Sequence, residues 1–132
     1  MDRIDSIMKD YPELQIKYVD MPDKLGGFIY GTTIFLDKNR SEDELIAILY
    51  EEIGHYKTTV GNIIKDGLGC AKQERTARVW GMKQHLSPET LEKYSAQNID
   101  SDYEVANELG VKVSYLHDIG AVYGYKYKHL AY

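Results

Sequence analysis

The sequence contains a single cysteine, Cys70, among 132 residues, so no disulfide can form within the chain. It also has no stretch of roughly 18 consecutive apolar residues, the length that a membrane-spanning helix needs. Its first residues, Met1-Asp2-Arg3-Ile4-Asp5, show neither the basic start nor the apolar run of a secretory signal. Together these absences predict a cytoplasmic protein with no role in a membrane.

Positive charge is scarce as well. Sixteen basic residues stand against twenty-one acidic ones, which gives a net charge of -5. A protein that gains affinity by neutralising phosphates over a broad surface needs the opposite balance. Nucleic-acid binding is therefore a secondary hypothesis. A chain of this length with 43% hydrophobic residues is long enough to bury the core of one ordinary domain.

The first part of the chain has the pattern of a small sheet between two helices. Residues Asp2 to Lys9 have helical spacing of apolar side chains, and Ser41-Glu42-Asp43-Glu44 is a capping box that starts a helix running to about His55. Between these helices, hydrophobic residues alternate at period two, with breaks at glycines. This pattern predicts a three-stranded antiparallel sheet over Leu14–Val19, Gly27–Tyr30 and Thr32–Leu36.

The second part is predicted to be helical. Residues 58–71 contain three glycines and read as a long loop with a turn at Ile63-Ile64, and a helix follows over Lys72 to His85. The pair Ser87-Pro88 starts another helix. In the tail we expect two more helices that resemble a helix-turn-helix pair. The first is capped by Asp102, runs through Leu109 and is ended by Gly110, and the second is capped by Ser114 and runs to about Tyr127. The predicted fold class is α+β.

The helix that starts at Ser41 carries a carboxylate where a hydrophobic residue is expected. Glu52 lies inside the apolar arc formed by Leu45, Ile48, Leu49 and Ile53. Glu51 and His55 lie one turn apart and border this arc. Burying two carboxylates and an imidazole side by side costs roughly several kcal/mol unless a cation or hydrogen bonds compensate for the lost hydration. A metal ion would do so. In the alternative interpretation both glutamates are solvated and His55 caps the end of the helix.

The next helix places Glu74, Ala77, Arg78 and Gly81 on one face. Because Ala77 and Gly81 are small, this helix can approach another closely, and Glu74 at its start can then reach a shared site. A capping or surface role for Glu74 is the alternative.

These two stretches resemble a known family. Tyr50-Glu51-Glu52-Ile53-Gly54-His55, followed by Glu74-Arg75-Thr76-Ala77-Arg78-Val79-Trp80, looks like the ImmA/IrrE metallopeptidases, which are often encoded by prophages and mobile elements. The resemblance also takes in Ile34 to Asn39 and the C-terminal helix pair. It implies a minimal zincin-like fold with an active-site helix, and a hydrolase that cleaves or inactivates repressor-like proteins. It further implies a peptidase-like core over residues 1–86 and a helical C-terminal portion over residues 87–132, within one compact unit.

The family pattern is His-Glu-x-x-His followed by Glu-x-x-Ala-x-x-aromatic. By this resemblance Glu52 is the catalytic base, and His55 and Glu74 are metal ligands. Glu51 replaces the first histidine of the pattern, the most specific part of the zinc signature. A carboxylate can bind Zn²⁺ at about the same distance as an imidazole, so Glu51, His55 and Glu74 would supply three ligands. Two carboxylates make the site harder, which moves its preference toward Mn²⁺ or Mg²⁺. A relative that has lost catalysis and acts by binding a protein is the alternative.

The other candidate ligands are weaker. His85 is about 16 Å along the helix from Glu74 at 1.5 Å per residue, too far to share an ion. His117 and His129 have no partner at ligand spacing, and Cys70 is isolated. The helix-turn-helix reading of the tail would make a DNA-binding regulator, but residues 101–120 hold four acidic side chains against Lys112 alone. We therefore expect the tail to dock a protein substrate, a helix-turn-helix repressor. Nothing in the sequence indicates an oligomeric state.

Overall fold

The computed structural model describes residues 2–22, 25–58, 71–96 and 101–124, without the side chains of residues 95 and 96. In these ranges the fold is α+β, as predicted, with a small sheet packed against helices. The elements in chain order are α1 (Arg3–Met8), β1 (Gln15–Val19), β2 (Gly27–Tyr30), β3 (Thr33–Asp37), α2 (Glu42–Thr58), α3 (Ala71–His85), α4 (Pro88–Ala96), α5 (Asp102–Leu109) and α6 (Val113–Val122).

The sheet is mixed, and the prediction of an antiparallel sheet was wrong for one of its two pairings. The strand order is β1-β3-β2. β2 and β3 form an antiparallel hairpin that turns at Gly31, whose φ is 62°, whereas β1 pairs with β3 in parallel, with Ile16 opposite Ile34. The hairpin inserts β3 between the two earlier strands. Period-two alternation determines which face a residue occupies but not which strand is its neighbour, and this is why the sequence did not predict the parallel pair.

Helix α2 packs across one face of this sheet. The capping box is present: the Glu44 amide donates to Ser41 Oγ at 3.3 Å, and the Ser41 amide donates to Glu44 Oε1 at 3.4 Å. The helix continues three residues past the predicted end at His55, to Thr58. The first hydrophobic cluster lies between α1, the sheet and α2, and its buried members are Ile4, Leu14, Ile34, Leu36, Leu45, Ile46, Leu49 and Ile53.

Helices α2 and α3 pack in close antiparallel contact, as the small residues of α3 predicted. A Cβ added at Gly81 would lie 2.5 Å from the carbonyl oxygen of Tyr50, and one added at Gly54 would overlap the carbonyl oxygen of Ala77. Ala77 itself is fully buried. This close approach brings the beginning of α3 beside the second half of α2.

The C-terminal helices surround a second hydrophobic cluster, which includes Met82 of α3 and Leu86 directly after that helix. Gly110 ends α5 in the left-handed conformation with φ 70°, as predicted. Two predicted caps were wrong: Ser101 rather than Asp102 caps α5, and α6 begins after Lys112, with Ser114 inside its first turn. Serine and aspartate compete as caps when they are adjacent, so the pattern was ambiguous by one residue.

Helix α6 ends at Val122, short of the predicted Tyr127. Gly124 follows with φ 83°, a conformation that ends helices and favours glycine. The predicted loop with its turn at Ile63-Ile64 lies outside the described residues, apart from its two ends. The division of the chain at residue 86 stays a prediction. None of the described helices is both long enough and apolar enough to cross a membrane.

Candidate metal centre

Three side chains of α2 converge where the sequence predicted a metal site. Glu51, Glu52 and His55 each offer one ligand atom, and these atoms lie within 4.8 Å of one another. Among the described residues this is the one such group of histidine, cysteine and acidic side chains. Glu52 and His55 are buried, with 7% and 9% of their surface exposed, and Glu51 is half-buried. This group can hold a metal ion.

Glu74 reaches the same place from α3. Its Oε2 lies 3.0 Å from Nε2 of His55, and half of its side chain is exposed. The close packing of α2 and α3 therefore has the consequence expected from Ala77 and Gly81. The three-atom group contains Glu52 rather than Glu74, however, so the role of Glu74 as a ligand stays a prediction.

Glu52 is one of the three donors of this group, whereas the prediction from the sequence placed it beside the metal as catalytic base and not among the ligands. The position of Glu52 in the sequence already indicated that its carboxylate lies near the other donors. Glu52 follows Glu51 directly and lies on the apolar arc that turns toward α3 and the sheet, so its carboxylate shares the interior with His55.

The electrostatics of the group favour a cation. Burial raises the pKa of Glu52 to about 8, and the charges of Glu51 and Glu74 add to this effect. Burial also raises the pKa of Glu51; Arg78 and His55 lower it in part, and Glu74 raises it. Three carboxylates thus surround one imidazole, and their mutual repulsion together with desolvation opposes ionisation. A divalent cation would offset both costs.

The spacing of the donors also fits an ion of this size. Ligand atoms about 2.1 Å from a tetrahedral Zn²⁺ lie roughly 3.4 Å from each other. The 3.0 Å between His55 and Glu74 is close to that spacing. The ligand atoms of the α2 group lie within 4.8 Å of one another, so they need to approach by at most about 1.4 Å to reach that spacing. The residues present therefore fit a small divalent cation.

Within the described residues, the two other histidines, His85 and His117, do not join the site. His85 stacks on Tyr50 with 4.6 Å between ring centroids, and its Nδ1 lies 3.0 Å from the Tyr115 hydroxyl. His117 has a partner that the sequence analysis missed, since its Nε2 lies 2.8 Å from Asp102 Oδ2 between α5 and α6. Because fifteen residues separate the two in sequence, only the packing of α5 against α6 reveals this pair. Cys70 and His129 lie outside the described residues.

Comparison with known proteins adds no identification: no family model matches this chain, and no curated protein matches it.

Proposed function

We propose that this protein is a metal-dependent peptidase that cleaves or inactivates a repressor-like protein of a phage or mobile element. The observation that carries the proposal is the convergence of Glu51, Glu52 and His55 on α2, with Glu74 of α3 in contact with His55. Its position on one helix and the start of the next matches the order of ligands in the ImmA/IrrE pattern. Zn²⁺ is the metal we favour, with Mn²⁺ as the alternative that a carboxylate-rich site admits.

In this proposal Glu51, His55 and Glu74 hold the ion and Glu52 acts as general base. A bound divalent cation would supply Lewis acidity and lower the pKa of water in the site. Glu52 accepts a proton from the attacking water and passes it to the leaving amine. Burial raises the pKa of Glu52 to about 8 in the metal-free protein, and the positive charge of a bound ion would lower it toward the range in which a carboxylate can accept a proton.

The partner we propose is a protein, a helix-turn-helix repressor, and the compartment is the cytoplasm. Docking of nucleic acid is disfavoured by the surface of the helix pair. Glu104, Glu108 and Asp118 are exposed on α5 and α6, and Asp118 forms an ion pair with Arg78 of α3 at 2.8 Å. A recognition helix with this charge would be repelled by phosphates.

A second function is favoured by one specific observation, the glutamate at position 51 where the family has histidine. An additional carboxylate lowers the net positive charge of a loaded site and weakens its effect on bound water. In that case the protein would act on its partner by binding without cleavage.

The test pairs the wild type with Glu52→Gln, using a neighbouring-gene repressor and a tryptic digest of total cell protein as substrates. We expect the wild type to cleave and the variant to lose roughly 100-fold or more of the rate, because glutamine cannot take a proton. Glu89→Gln, an exposed substitution on α4, is the matched control. Cleavage by Glu52→Gln at the wild-type rate would refute the mechanism. Binding of the repressor by both proteins without cleavage would favour the second function.

A further inference from the structure

A side-chain-sized cleft lies one helical turn from the candidate metal centre. It is formed where α2, α3 and α6 meet, and its volume is about 180 Å³. Ala47 and Ile48 lie four residues before Glu51 and Glu52 on α2, which is one turn of about 5.4 Å. Arg78 lies one turn after Glu74 on α3. The two helices are antiparallel. One turn back along α2 and one turn forward along α3 therefore both reach from the metal centre to this cleft.

Charged groups of the cleft and of the candidate metal centre act on the same hydroxyl group, which shows that the two are close together. Tyr115, on the α6 side of the cleft, has a raised pKa, chiefly because it is buried. The positive charge of Arg78 and the negative charge of Glu51 both act on this hydroxyl. Tyr115, Arg78 and Glu51 are therefore near neighbours across the junction of the three helices.

Charged side chains surround the cleft, yet the surface that it presents is mostly apolar. The charges pair with one another: Arg78 with Asp118 at 2.8 Å, Lys112 with Glu44 at 3.2 Å. Arg40 pairs with Glu44 and also with Asp37, outside the cleft. Their aliphatic stems then contribute apolar surface, and Ala47, Ile48 and the Tyr115 ring supply the rest.

We propose that this cleft is a specificity subsite that receives an apolar side chain, of leucine or phenylalanine size, from the peptide bound at the metal centre. The inference rests on the proposed peptidase function. A drug-sized ligand needs about 300–1,000 Å³, so this smaller cleft fits a single side chain. The charged groups at the rim of the cleft are already paired with one another. A charged side chain of a bound peptide would have to displace one member of such a pair, so it is disfavoured. The Tyr115 ring is held in place by its hydroxyl, which lies 3.0 Å from Nδ1 of His85.

Ala47 decides the size of the subsite in this account. It is half-buried on the α2 side, and any larger residue there would project into the cleft. Ala47→Leu should therefore fill the subsite while keeping Glu51, Glu52, His55 and Glu74 in the chain. Ala121→Leu is the matched control, because Ala121 is exposed on α6 outside the cleft. Ser114→Phe narrows the cleft from α6 and serves as a second variant if Ala47→Leu does not fold.

The experiment measures binding, so that it does not depend on turnover. Acetylated and amidated pentapeptides of alanine with leucine, phenylalanine, aspartate, lysine or glycine at the centre are titrated into ¹⁵N-labelled protein, with and without one equivalent of Zn²⁺. We expect the leucine and phenylalanine peptides to bind at least about tenfold more tightly than the others and to shift the amide signals of Ala47, Ile48 and Tyr115. Ala47→Leu should remove this preference while Ala121→Leu keeps it.

Equal affinity for all five peptides, no binding of any of them, or a preference that survives both Ala47→Leu and Ser114→Phe would overturn the subsite. If the proposed peptidase function is wrong, the results should differ from those that overturn the subsite. In that case no peptide or protein is cleaved, while the preference for apolar side chains and its loss in Ala47→Leu remain. Cleavage without any preference at the central position would support the peptidase and reject the subsite.

Discussion

Glu52 is the side chain on which the proposed chemistry depends, and its environment makes a prediction that needs no substrate. The unfolded chain releases its proton near pH 4.5, whereas the folded, metal-free protein holds it until about pH 8. The neutral carboxyl is therefore compatible with the fold at low pH, and the free energy of unfolding falls as the pH rises between these values.

Glu52→Gln should remove this loss because glutamine cannot ionise. We expect the metal-free variant to be more stable than the metal-free wild type at pH 8, by on the order of 4 kcal/mol, and nearly equal to it at pH 4.5. Urea unfolding at the two pH values measures the difference, with Glu89→Gln as control. A difference of the same size at both pH values would show that Glu52 is not held protonated.

His85 makes the opposite prediction in a lower pH range. Burial lowers its pKa from 6.5 to about 4, the charge of Arg3 contributes, and Asp43 acts against it. Because the unfolded chain binds a proton near pH 6.5 and the folded protein does not, the free energy of unfolding should fall as the pH drops from 6.5 to 4.

His85→Gln should flatten this fall. The wild type should lose up to about 3 kcal/mol more than the variant between pH 6.5 and pH 4. The slope with pH is the readout, since the substitution also removes the stacking on Tyr50 and lowers stability at every pH. Parallel pH profiles of the two proteins would contradict the account.

At the level of helices and strands, the contact between α2 and α3 brings the two parts of the candidate site together. In an ordinary helix, replacing glycine by alanine stabilises by roughly 0.5–1 kcal/mol. At Gly81 the sign should be reversed, because the new Cβ would lie 2.5 Å from the carbonyl oxygen of Tyr50. The α2 backbone at Tyr50 cannot move aside as a flexible side chain would. The two helices must therefore separate.

We expect Gly81→Ala to lower the free energy of unfolding by about 1–3 kcal/mol, the cost of overpacking a close contact. It should also weaken metal binding, since Glu74 moves away from His55 with its helix. Thr76→Ala, exposed on the same helix, is the control for both readouts. A stabilised Gly81→Ala protein would mean that the helices are not in close contact.

The same elements show how far the sequence could predict the structure. The capping box at Ser41, the small residues Ala77 and Gly81, and the turn at Gly110 were predicted correctly because each is a local signal with one structural meaning. The parallel pairing of β1 with β3 was missed, because strand order depends on contacts between distant segments. The caps of α5 and α6 were misplaced by one or two residues, where neighbouring polar residues offered alternatives.

For the site, helical periodicity was enough to place Glu51, Glu52 and His55 together, since all three lie on one helix. The contact between Glu74 and His55 depends on how α2 and α3 pack against each other. The sequence showed only that α3 has a face of small residues, which allows close packing but does not determine which side chains meet. The cleft beside the site was not predicted. It exists only where three helices meet, and no segment of the sequence contains its pattern.

Across the chain as a whole, Arg3 connects parts that are distant in sequence. Its Nη1 donates to Asp43 at 2.7 Å and to Glu42 at 3.2 Å, and its Nη2 donates to the carbonyl oxygen of Gly110 at 3.0 Å. The N-terminal helix is thereby joined to the start of α2 and to the turn between α5 and α6.

Arg3→Ala should lower the free energy of unfolding by about 1 kcal/mol, a modest value because 41% of this side chain is exposed to solvent. The loss should be concentrated in the C-terminal helices. We therefore expect faster hydrogen exchange of the Val111 amide, which donates to the carbonyl of Ala106 at the end of α5. Lys9→Ala, exposed at the end of α1, is the control, and equal exchange in both variants would refute this role for Arg3.

The proposed function requires that the protein bind a divalent ion through His55 and Glu74. Protein purified without chelators, and apo protein titrated with Zn²⁺ and Mn²⁺, should be analysed for bound metal by mass spectrometry and calorimetry. We predict one divalent ion per chain, with affinity reduced at least about 100-fold in both His55→Ala and Glu74→Gln, because each substitution removes a proposed ligand and loss of even a supporting partner costs about 10–100-fold. Absence of a bound ion at stoichiometric metal, or binding that His55→Ala leaves unchanged, would contradict the account.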